Sequence, residues 1–175
     1  MKTHDFLKIV QEKVAVSAIG PSALRGQGKG VLSAAQKVLK SIHLSELPRS
    51  SRDDFVKWLD DQTALILDAM PIKNEPWGAA RKAINLFLRD TLYNRYLCER
   101  FKIHEVEEWL EIPLDSAVAK GLKRKAGHGG LPVWPRLKHL RKGVSEIYQD
   151  YAAIIAKEHG VARVHLDIIY WLENR

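Results

Sequence analysis

The side chains best suited to chemistry lie in residues 77–115, at the spacing of a helix. Lys82 carries an amine, which in its neutral form can attack a carbon atom and form a covalent intermediate. Phasing of about 100° per residue places one set on a single stripe: Gly78, Lys82, Asn85, Arg89 and Tyr93. The opposite side holds Ala80, Ala83, Ile84, Phe87, Leu88 and Thr91. This spacing predicts a helix that buries an apolar face and directs a polar face towards a ligand or partner.

The elements that must position this stripe are also helical. Apolar residues recur at helical spacing over approximately residues 5–19, 31–42, 51–70, 77–101, 104–110, 115–125, 144–159 and 164–173. The last of these is apolar nearly all round, so we expect it to be largely buried. The chain has no sustained period-two alternation and no Asn-Gly or Asp-Gly hairpin signal. It therefore predicts an all-α single domain over residues 1–175, with seven to nine helices around a central hairpin-helix segment, residues 71–126.

The charge of the chain favours an anionic partner. Lys and Arg number 28 against 21 Asp and Glu, which gives a net charge of +7, and nucleic acid is the commonest partner of such a protein. A merely basic surface is the alternative. The single cysteine, Cys98, indicates a reducing compartment, and no run of 18 apolar residues is present. We therefore expect a soluble cytoplasmic protein with no membrane partner, and a monomer.

A glycine-rich basic loop covers residues 22–30. It differs from a phosphate-binding P-loop, because Ala23 and Gly30 occupy positions where that motif needs Gly and Ser or Thr. Flexible backbone amides, the cations Arg25 and Lys29 and a following helix N-terminus can still hold a phosphate. A mobile connector between two helices is an equally good interpretation.

Several kinds of catalytic site are disfavoured. The seven histidines, at positions 4, 43, 104, 128, 139, 159 and 165, show no H-x-x-x-H or H-E-x-x-H spacing. No serine nucleophile elbow and no dinucleotide fingerprint is found. The sequence therefore predicts neither a metal site nor a cofactor.

Three short motifs resemble a known family, the helix-hairpin-helix DNA glycosylases. The run Gly78-Ala79-Ala80-Arg81-Lys82-Ala83 is similar to their hairpin, L-P-G-V-G-x-K-T-A, with Gly78, Lys82 and Ala83 in register. Ala80 replaces the second glycine, and the threonine before Ala83 is missing. The 33-residue spacing from Lys82 to Asp115 in Ile112-Pro113-Leu114-Asp115, and the ending His165-Leu166-Asp167-Ile168-Ile169-Tyr170-Trp171-Leu172, look most like the archaeal 8-oxoguanine glycosylase branch.

The resemblance implies a repair enzyme that removes a damaged base from double-stranded DNA and has abasic-site (AP) lyase activity. Lys82 would be the nucleophile and Asp115 its acid–base or electrostatic partner. The backbone amides of Gly78, Ala79 and Ala80 would contact phosphate, with help from Arg25 and Lys29. On their residue types, Arg81, Asn85 and Arg89 are either a phosphate track along the same helix or only a charged surface stripe. The extruded base needs an aromatic pocket, for which the candidates are Trp58, Trp77, Trp134 and Tyr93.

Two other functions remain open at this point. A nucleic-acid-binding protein without catalysis could use the same hairpin and loops, and a helical protein-interaction domain could carry its positive charge for solubility alone. In both, Lys82 would lie on a solvated helix face and Asp115 would only cap a helix. Arg163 and Asp167, four residues apart, would form a helix ion pair. The enzyme hypothesis requires Lys82 and Asp115 to share one cleft.

Overall fold

The computed structural model describes residues 3–72 and 76–173, apart from the side chain of His4, and every regular element in them is helical. Four short 3₁₀ helices lie at Leu44–Glu46, Ile103–Trp109, Leu137–His139 and Arg163–His165. For these residues the predicted all-α fold of seven to nine helices is confirmed by eight α-helices: α1 (Thr3–Ala18), α2 (Val31–Ser41), α3 (Arg52–Ala69), α4 (Trp77–Tyr93), α5 (Arg95–Phe101), α6 (Ser116–Ala126), α7 (Lys142–Glu158) and α8 (Leu166–Glu173). Residues 73–75 of the predicted central segment lie outside the described residues.

The single helix predicted over residues 77–101 is two helices, because the helical conformation is interrupted at Asn94. The backbone of Asn94 is extended, with φ −87° and ψ 108°, and its side-chain oxygen accepts a hydrogen bond from the N–H of Leu97. Asparagine is favoured at such a position because its side chain satisfies an N–H that has no partner within the helix. α5 therefore begins as a separate, capped helix, and Tyr93 becomes the last residue of α4.

The buried apolar side chains form two clusters within one compact domain. The first cluster is built by α1 to α5 with the 3₁₀ helix Ile103–Trp109. The second is built by α6, α7 and α8 with Ile112 and Leu114. The chain crosses from the first cluster to the second between Leu110 and Ile112. Asp115 therefore lies where the second cluster begins.

Helix α4 lies where the two clusters meet. Twelve of its 17 residues are buried, and most of its apolar side chains belong to the first cluster. Trp77, in its first turn, packs against the second cluster. Arg81, Lys82 and Asn85 are buried as well. The predicted polar stripe is therefore buried at Gly78, Lys82 and Asn85, half-buried at Arg89 and exposed at Tyr93. The prediction of a polar face directed outward is wrong for the first half of the helix, because neighbouring elements cover it there.

Gly78 allows the first turn of α4 to touch the 3₁₀ helix Leu137–His139. A Cβ atom added at Gly78 would lie 2.5 Å from the carbonyl oxygen of Leu137 and 2.7 Å from Leu140 Cβ. Both distances are far below an ordinary van der Waals contact, and the first is to backbone, which cannot rotate away. The close approach of these two segments therefore requires glycine at this position.

We expect Gly78→Ala to lower the free energy of unfolding by about 1–3 kcal/mol, because the added methyl group overpacks a backbone contact. Urea denaturation measures this change. Gly143→Ala in α7 is the matched control, since a Cβ there meets nothing within 4 Å. At that helical position alanine is expected to raise stability by up to about 1 kcal/mol. A Gly78→Ala protein as stable as wild type would contradict the close contact.

Candidate functional site

Lys82 and Asp115 lie side by side. Lys82 Nζ donates a hydrogen bond to Asp115 Oδ2 at 3.1 Å and a second to the carbonyl oxygen of Ala23, also at 3.1 Å. The Lys82 side chain is 9% exposed and that of Asp115 is 33% exposed. The carboxylate is thus the more open of the two groups, with the amine behind it. Lys82 is not on a solvated helix face.

The two oxygen atoms of Asp115 have separate partners. Oδ1 accepts hydrogen bonds from the N–H groups of Ala117 and Val118, at 2.9 and 3.0 Å, and so caps the N-terminus of α6. Oδ2 faces Lys82. The predicted capping role is confirmed, and it fixes the orientation of the carboxylate, because the two bonds to one oxygen restrict rotation of the side chain. Capping and contact with Lys82 occur together.

Arg81, the neighbour of Lys82, is held inside the protein. Its guanidinium donates two hydrogen bonds to the carboxylate of Glu111, at 2.8 and 2.9 Å, and others to Asp60 and Thr63, at 2.9 and 3.0 Å. It also lies 5.5 Å from the centre of the Trp77 ring. Only 4% of Arg81 is exposed. Its surroundings are those of a structural ion pair, in contrast to the predicted contact with phosphate.

Glu111 is the centre of a buried polar cluster. Its Oε2 atom also accepts a hydrogen bond from the side-chain amide of Asn85 at 2.9 Å, so Asn85 too is directed inward, away from a nucleic-acid surface. Burial acts to raise the pKa of the Glu111 carboxyl, but the charge and hydrogen bonds of Arg81, with the Asn85 bond, outweigh it and hold the pKa below its usual value. Glu111 is therefore ionised within the folded protein.

Arg163 and Gln149 hold the same segment from the other side. Arg163 donates hydrogen bonds to the carbonyl oxygens of Leu110 and Trp109, both at 2.9 Å. The Gln149 side chain bonds both the N–H and the carbonyl of Ile112, at 3.0 and 2.8 Å. The predicted ion pair between Arg163 and Asp167 is not formed. Together with Glu111, these contacts fix the backbone that leads to Asp115.

A small cavity lies farther along the same stripe of α4. Its volume is about 300 Å³, and it is lined by Arg89, Asp90, Tyr93, Asp167, Ile168 and Trp171. Arg89 is paired with Asp90 at 2.7 Å and with Asp167. Burial raises the pKa of Asp167, Arg89 opposes that rise, and the negative charge of Asp115 adds to it. The charge of Lys82 acts in the opposite direction and lowers the pKa of Asp167.

A chain of three polar side chains supports one wall of this cavity. The Tyr93 hydroxyl lies 2.7 Å from Nδ1 of His165, and Nε2 of His165 lies 2.6 Å from a carboxylate oxygen of Glu107. The rings of Tyr93 and His165 are also stacked, with their centres 5.6 Å apart. These contacts fix the position of the Tyr93 ring. Sequence reasoning missed His165 and Glu107, because they lie far from Tyr93 in the chain.

The remaining predicted binding residues are divided between the interior and the surface. Ala79 and Ala80 donate their backbone N–H groups to the carbonyl of Pro76, at 2.9 and 3.2 Å, and both residues are fully buried. With Gly78 under the 3₁₀ helix, this first turn does not offer the predicted row of amides to phosphate. Arg25 and Lys29 are exposed. Their loop contributes to the site only through its backbone, because Lys82 Nζ donates a hydrogen bond to the carbonyl oxygen of Ala23.

The aromatic candidates are placed differently from expectation. Trp77 lies against Arg81, and Trp58 packs in the first cluster. Trp134 donates a hydrogen bond from Nε1 to Ser116 Oγ at 3.3 Å, which places it next to Asp115. Trp171, which was expected to be buried, is 52% exposed at the cavity. Its i, i+4 spacing from Asp167 was the available signal, because such residues share a helix face.

A larger cavity of about 770 Å³ lies elsewhere, between α1, the end of α2 and the end of α5. None of the predicted site residues lines it. In residues 3–72 and 76–173, no group of three or more His, Cys, Asp or Glu side chains is arranged to hold a metal ion. Within the same ranges, no helix has both the length and the apolar character needed to cross a membrane.

Replacing Glu111 tests the buried cluster. We expect Glu111→Gln to lower the free energy of unfolding by about 3 kcal/mol at neutral pH, because Arg81 loses its bidentate charged partner inside the protein and keeps only Asp60 as a charged partner. The folded pKa of Glu111 is below its usual value of 4.5, so its contribution to stability is present above that pH and is lost as the pH falls below it. The difference between wild type and variant should therefore shrink in acid.

Denaturant unfolding at a series of pH values measures this difference. Glu108→Gln is the control, because Glu108 belongs to the same 3₁₀ helix but is exposed. It should change stability by less than about 0.5 kcal/mol at any pH. Equal effects of the two substitutions would show that the Arg81–Glu111 pair contributes nothing specific.

Comparison with known proteins gave no match. A scan of protein-family models, a search of curated proteins and a search of solved structures each returned no similar protein. The resemblance to the glycosylases therefore depends on the quoted motifs, and it remains a prediction.

Proposed function

We propose that this protein is a DNA glycosylase with AP lyase activity, in which Lys82 is the nucleophile and Asp115 its partner. The observation that carries the proposal is the 3.1 Å contact between Lys82 Nζ and Asp115 Oδ2. The two residues are 33 positions apart in the chain. Lys82 lies on α4, most of whose apolar side chains pack in the first cluster, and Asp115 caps α6 of the second cluster. An amine beside a partly open carboxylate, at the junction of two clusters, has the components that covalent catalysis by lysine requires.

The proposed reaction starts with a proton transfer from Lys82 Nζ to Asp115 Oδ2 along their hydrogen bond. The neutral amine then attacks C1′ of the damaged nucleotide, and the bond from C1′ to the base breaks. The base leaves with the bonding electrons and takes up the proton that Asp115 received. The C1′–O4′ bond then breaks as a proton passes from the attached nitrogen to O4′, which gives a protonated Schiff base between Lys82 and C1′. Loss of the C2′ proton then expels the 3′ phosphate by β-elimination. Water finally hydrolyses the Schiff base and regenerates the amine.

The environment of the pair suits this sequence of steps. Asp115 is held by the two N–H groups that it caps, so its free oxygen keeps one direction towards Nζ. A carboxylate in that position can also stabilise the positive charge that develops on the sugar as the base leaves. The carbonyl of Ala23 gives the Lys82 amine a second fixed partner. The amine is therefore aligned before a substrate arrives.

The cavity beside Trp171 is the candidate pocket for the extruded base. Arg89, on its wall, is seven residues after Lys82 on the same stripe of α4, which corresponds to about 10 Å along the helix. Tyr93 and Trp171 offer aromatic surfaces, and Arg89 and Asp167 offer charged hydrogen-bonding groups. An extruded base is commonly held by this combination of stacking and polar contacts.

A nucleic-acid-binding protein without catalysis is the second candidate. The net charge of +7 is compatible with it, and the Lys82–Asp115 contact would then be a buried salt bridge only. Under this alternative, duplex binding would survive removal of the Lys82 amine, and no covalent complex would form with any DNA.

Borohydride trapping on duplex DNA with one abasic site, or one 8-oxoguanine, separates the two candidates. We expect a covalent adduct with wild type and none with Lys82→Gln, because the Schiff base needs the amine. Asp115→Asn should slow trapping by about 100-fold or more, since it removes the proton acceptor. Lys57→Gln, in α3 and exposed, is the control and should trap like wild type.

Circular dichroism verifies that each variant is folded, and a base-release assay detects a glycosylase that lacks the lyase step. An adduct with Lys82→Gln would assign the nucleophile to another residue. Neither adduct nor base release from wild type, on any damaged duplex, would leave the binding protein as the better description.

A further inference from the structure

The positive charge of the chain is concentrated in one segment, residues 116–142. This segment contains eight Lys and Arg residues and no acidic residue. The rest of the chain holds 20 Lys and Arg against 21 Asp and Glu, so it is nearly neutral. The net charge of +7 is therefore a local property of this segment, which we call the cationic segment, and not a property of the whole surface.

The cationic segment runs along one side of the candidate site. It begins with α6, directly after Asp115. The loop that follows α6, residues 127–136, which we call the return loop, contacts the start of α6 where Trp134 Nε1 donates a hydrogen bond to Ser116 Oγ at 3.3 Å. The loop continues into the 3₁₀ helix Leu137–His139, which lies on Gly78 in the first turn of α4. Its cations are thus attached to the elements that carry Lys82 and Asp115.

Several of these cations are exposed and have no acidic partner. Lys120, Arg136 and Lys138 are exposed, and none of them forms an ion pair with another described residue. Two other cations of the segment are engaged, since Arg124 pairs with Glu173 and Lys142 with Asp60. Three separate positions, on α6, on the return loop and on the 3₁₀ helix that follows it, therefore present charge that is available to an anion.

Arg136 is also held in an unusual backbone conformation. Its φ is 62° and its ψ is 156°, a combination that is essentially confined to glycine. The loop before it is tied down where the Tyr148 hydroxyl donates a hydrogen bond to the carbonyl of Pro132 at 2.8 Å. The fold thus tolerates strain at an exposed arginine where glycine would be relaxed. Strained residues of this kind cluster at binding and catalytic sites.

We infer that the cationic segment, and not the first turn of α4, binds the phosphates of the duplex that the site acts on. The inference depends on the proposed function, from which it takes DNA as the partner. In the resembling family the hairpin glycines contact phosphate, but here Gly78 packs against Leu137 and Leu140 of the cationic segment, and Ala79 and Ala80 are buried in the first cluster. Lys120 belongs to the helix that Asp115 caps, and Arg136 and Lys138 belong to the segment that contacts the first turn of α4.

The test compares two triple substitutions that remove the same charge. Lys120→Gln/Arg136→Gln/Lys138→Gln alters the cationic segment, and Lys8→Gln/Lys13→Gln/Lys37→Gln alters exposed lysines of α1 and α2. Fluorescence anisotropy gives the Kd for a duplex with a tetrahydrofuran abasic analogue from 50 to 200 mM salt. We expect the first triple to bind about 500-fold more weakly at 0.1 M salt, with a salt slope smaller by about 2.7. The second triple should stay within about two-fold of wild type, with an unchanged slope.

Each alternative outcome has a distinct meaning. Equal weakening of duplex binding by both triples would overturn the inference, because the affinity would then depend on the net charge and not on the position of the cations. Unchanged duplex binding by the first triple, with loss of its binding to vesicles that contain phosphatidylglycerol, would also overturn it and indicate a membrane surface. If wild type fails to trap an abasic site while only the first triple loses duplex binding, the proposed enzyme fails and the binding surface stands.

Arg136 gives a second, independent measurement. Arg136→Gly should raise the Tm, because glycine adopts the observed φ and ψ without strain, and it should still weaken duplex binding by about eight-fold at 0.1 M salt. Arg136→Lys should keep the affinity near that of wild type. A glycine variant that is more stable and binds duplex as tightly as wild type would remove Arg136 from the surface.

Discussion

The buried ion pair between Arg81 and Glu111 is the interaction on which the candidate site depends. Arg81 belongs to α4 and Glu111 to the segment that crosses from the first core cluster to the second, four residues before Asp115. The two hydrogen bonds between them fix that crossing relative to α4, and hence the distance from Asp115 to Lys82. An ion pair is suited to this task because its geometry is directional, whereas apolar contacts allow more sliding. Its desolvation is costly, so its contribution is better understood as position than as stability.

Arg81 and Lys82 are neighbours in sequence and have different roles, because successive residues of a helix point about 100° apart. Arg81 faces Glu111 and Asp60, and Lys82 faces Asp115 and the loop that carries Ala23. One turn of α4 therefore both holds the segment around Glu111 in place, through Arg81, and supplies the Lys82 amine beside Asp115. The cluster also accounts for the burial of Asn85, whose amide completes the partners of Glu111. The charges of this part of α4 are neutralised inside the protein, which leaves contact with an external anion to other residues.

Helical periodicity was sufficient to predict an all-α domain and most of its helices, because most of the helices present a recognisable apolar stripe and many of their ends carry ordinary stop or capping signals. The spacing of Lys82 and Asp115 also predicted two residues that do lie together. The roles of Arg81 and Asn85 could not be predicted, since charged and amide side chains are usually exposed and their partner Glu111 is 26 to 30 residues away. Trp171 was misjudged because the apolar character of its helix predicted burial all round, and its i, i+4 spacing from Asp167 was the one sign of a face that borders a polar site. Asn94 is a typical capping residue, but the apolar pattern continued on both sides of it, and so a single helix was predicted.

The contact at Gly78 has a mechanical consequence. Backbone meets backbone there, with no side chain between the first turn of α4 and the 3₁₀ helix beside it, so these two segments have no flexible layer between them at this point. A duplex bound as proposed would meet a firm contact here, and the change of shape would fall more on the DNA. The energy needed to bend and unstack the DNA would then distinguish one site from another, since a weakened base pair deforms more easily than an intact one. Recognition would reside as much in the elasticity of the nucleic acid as in the groups that line the pocket.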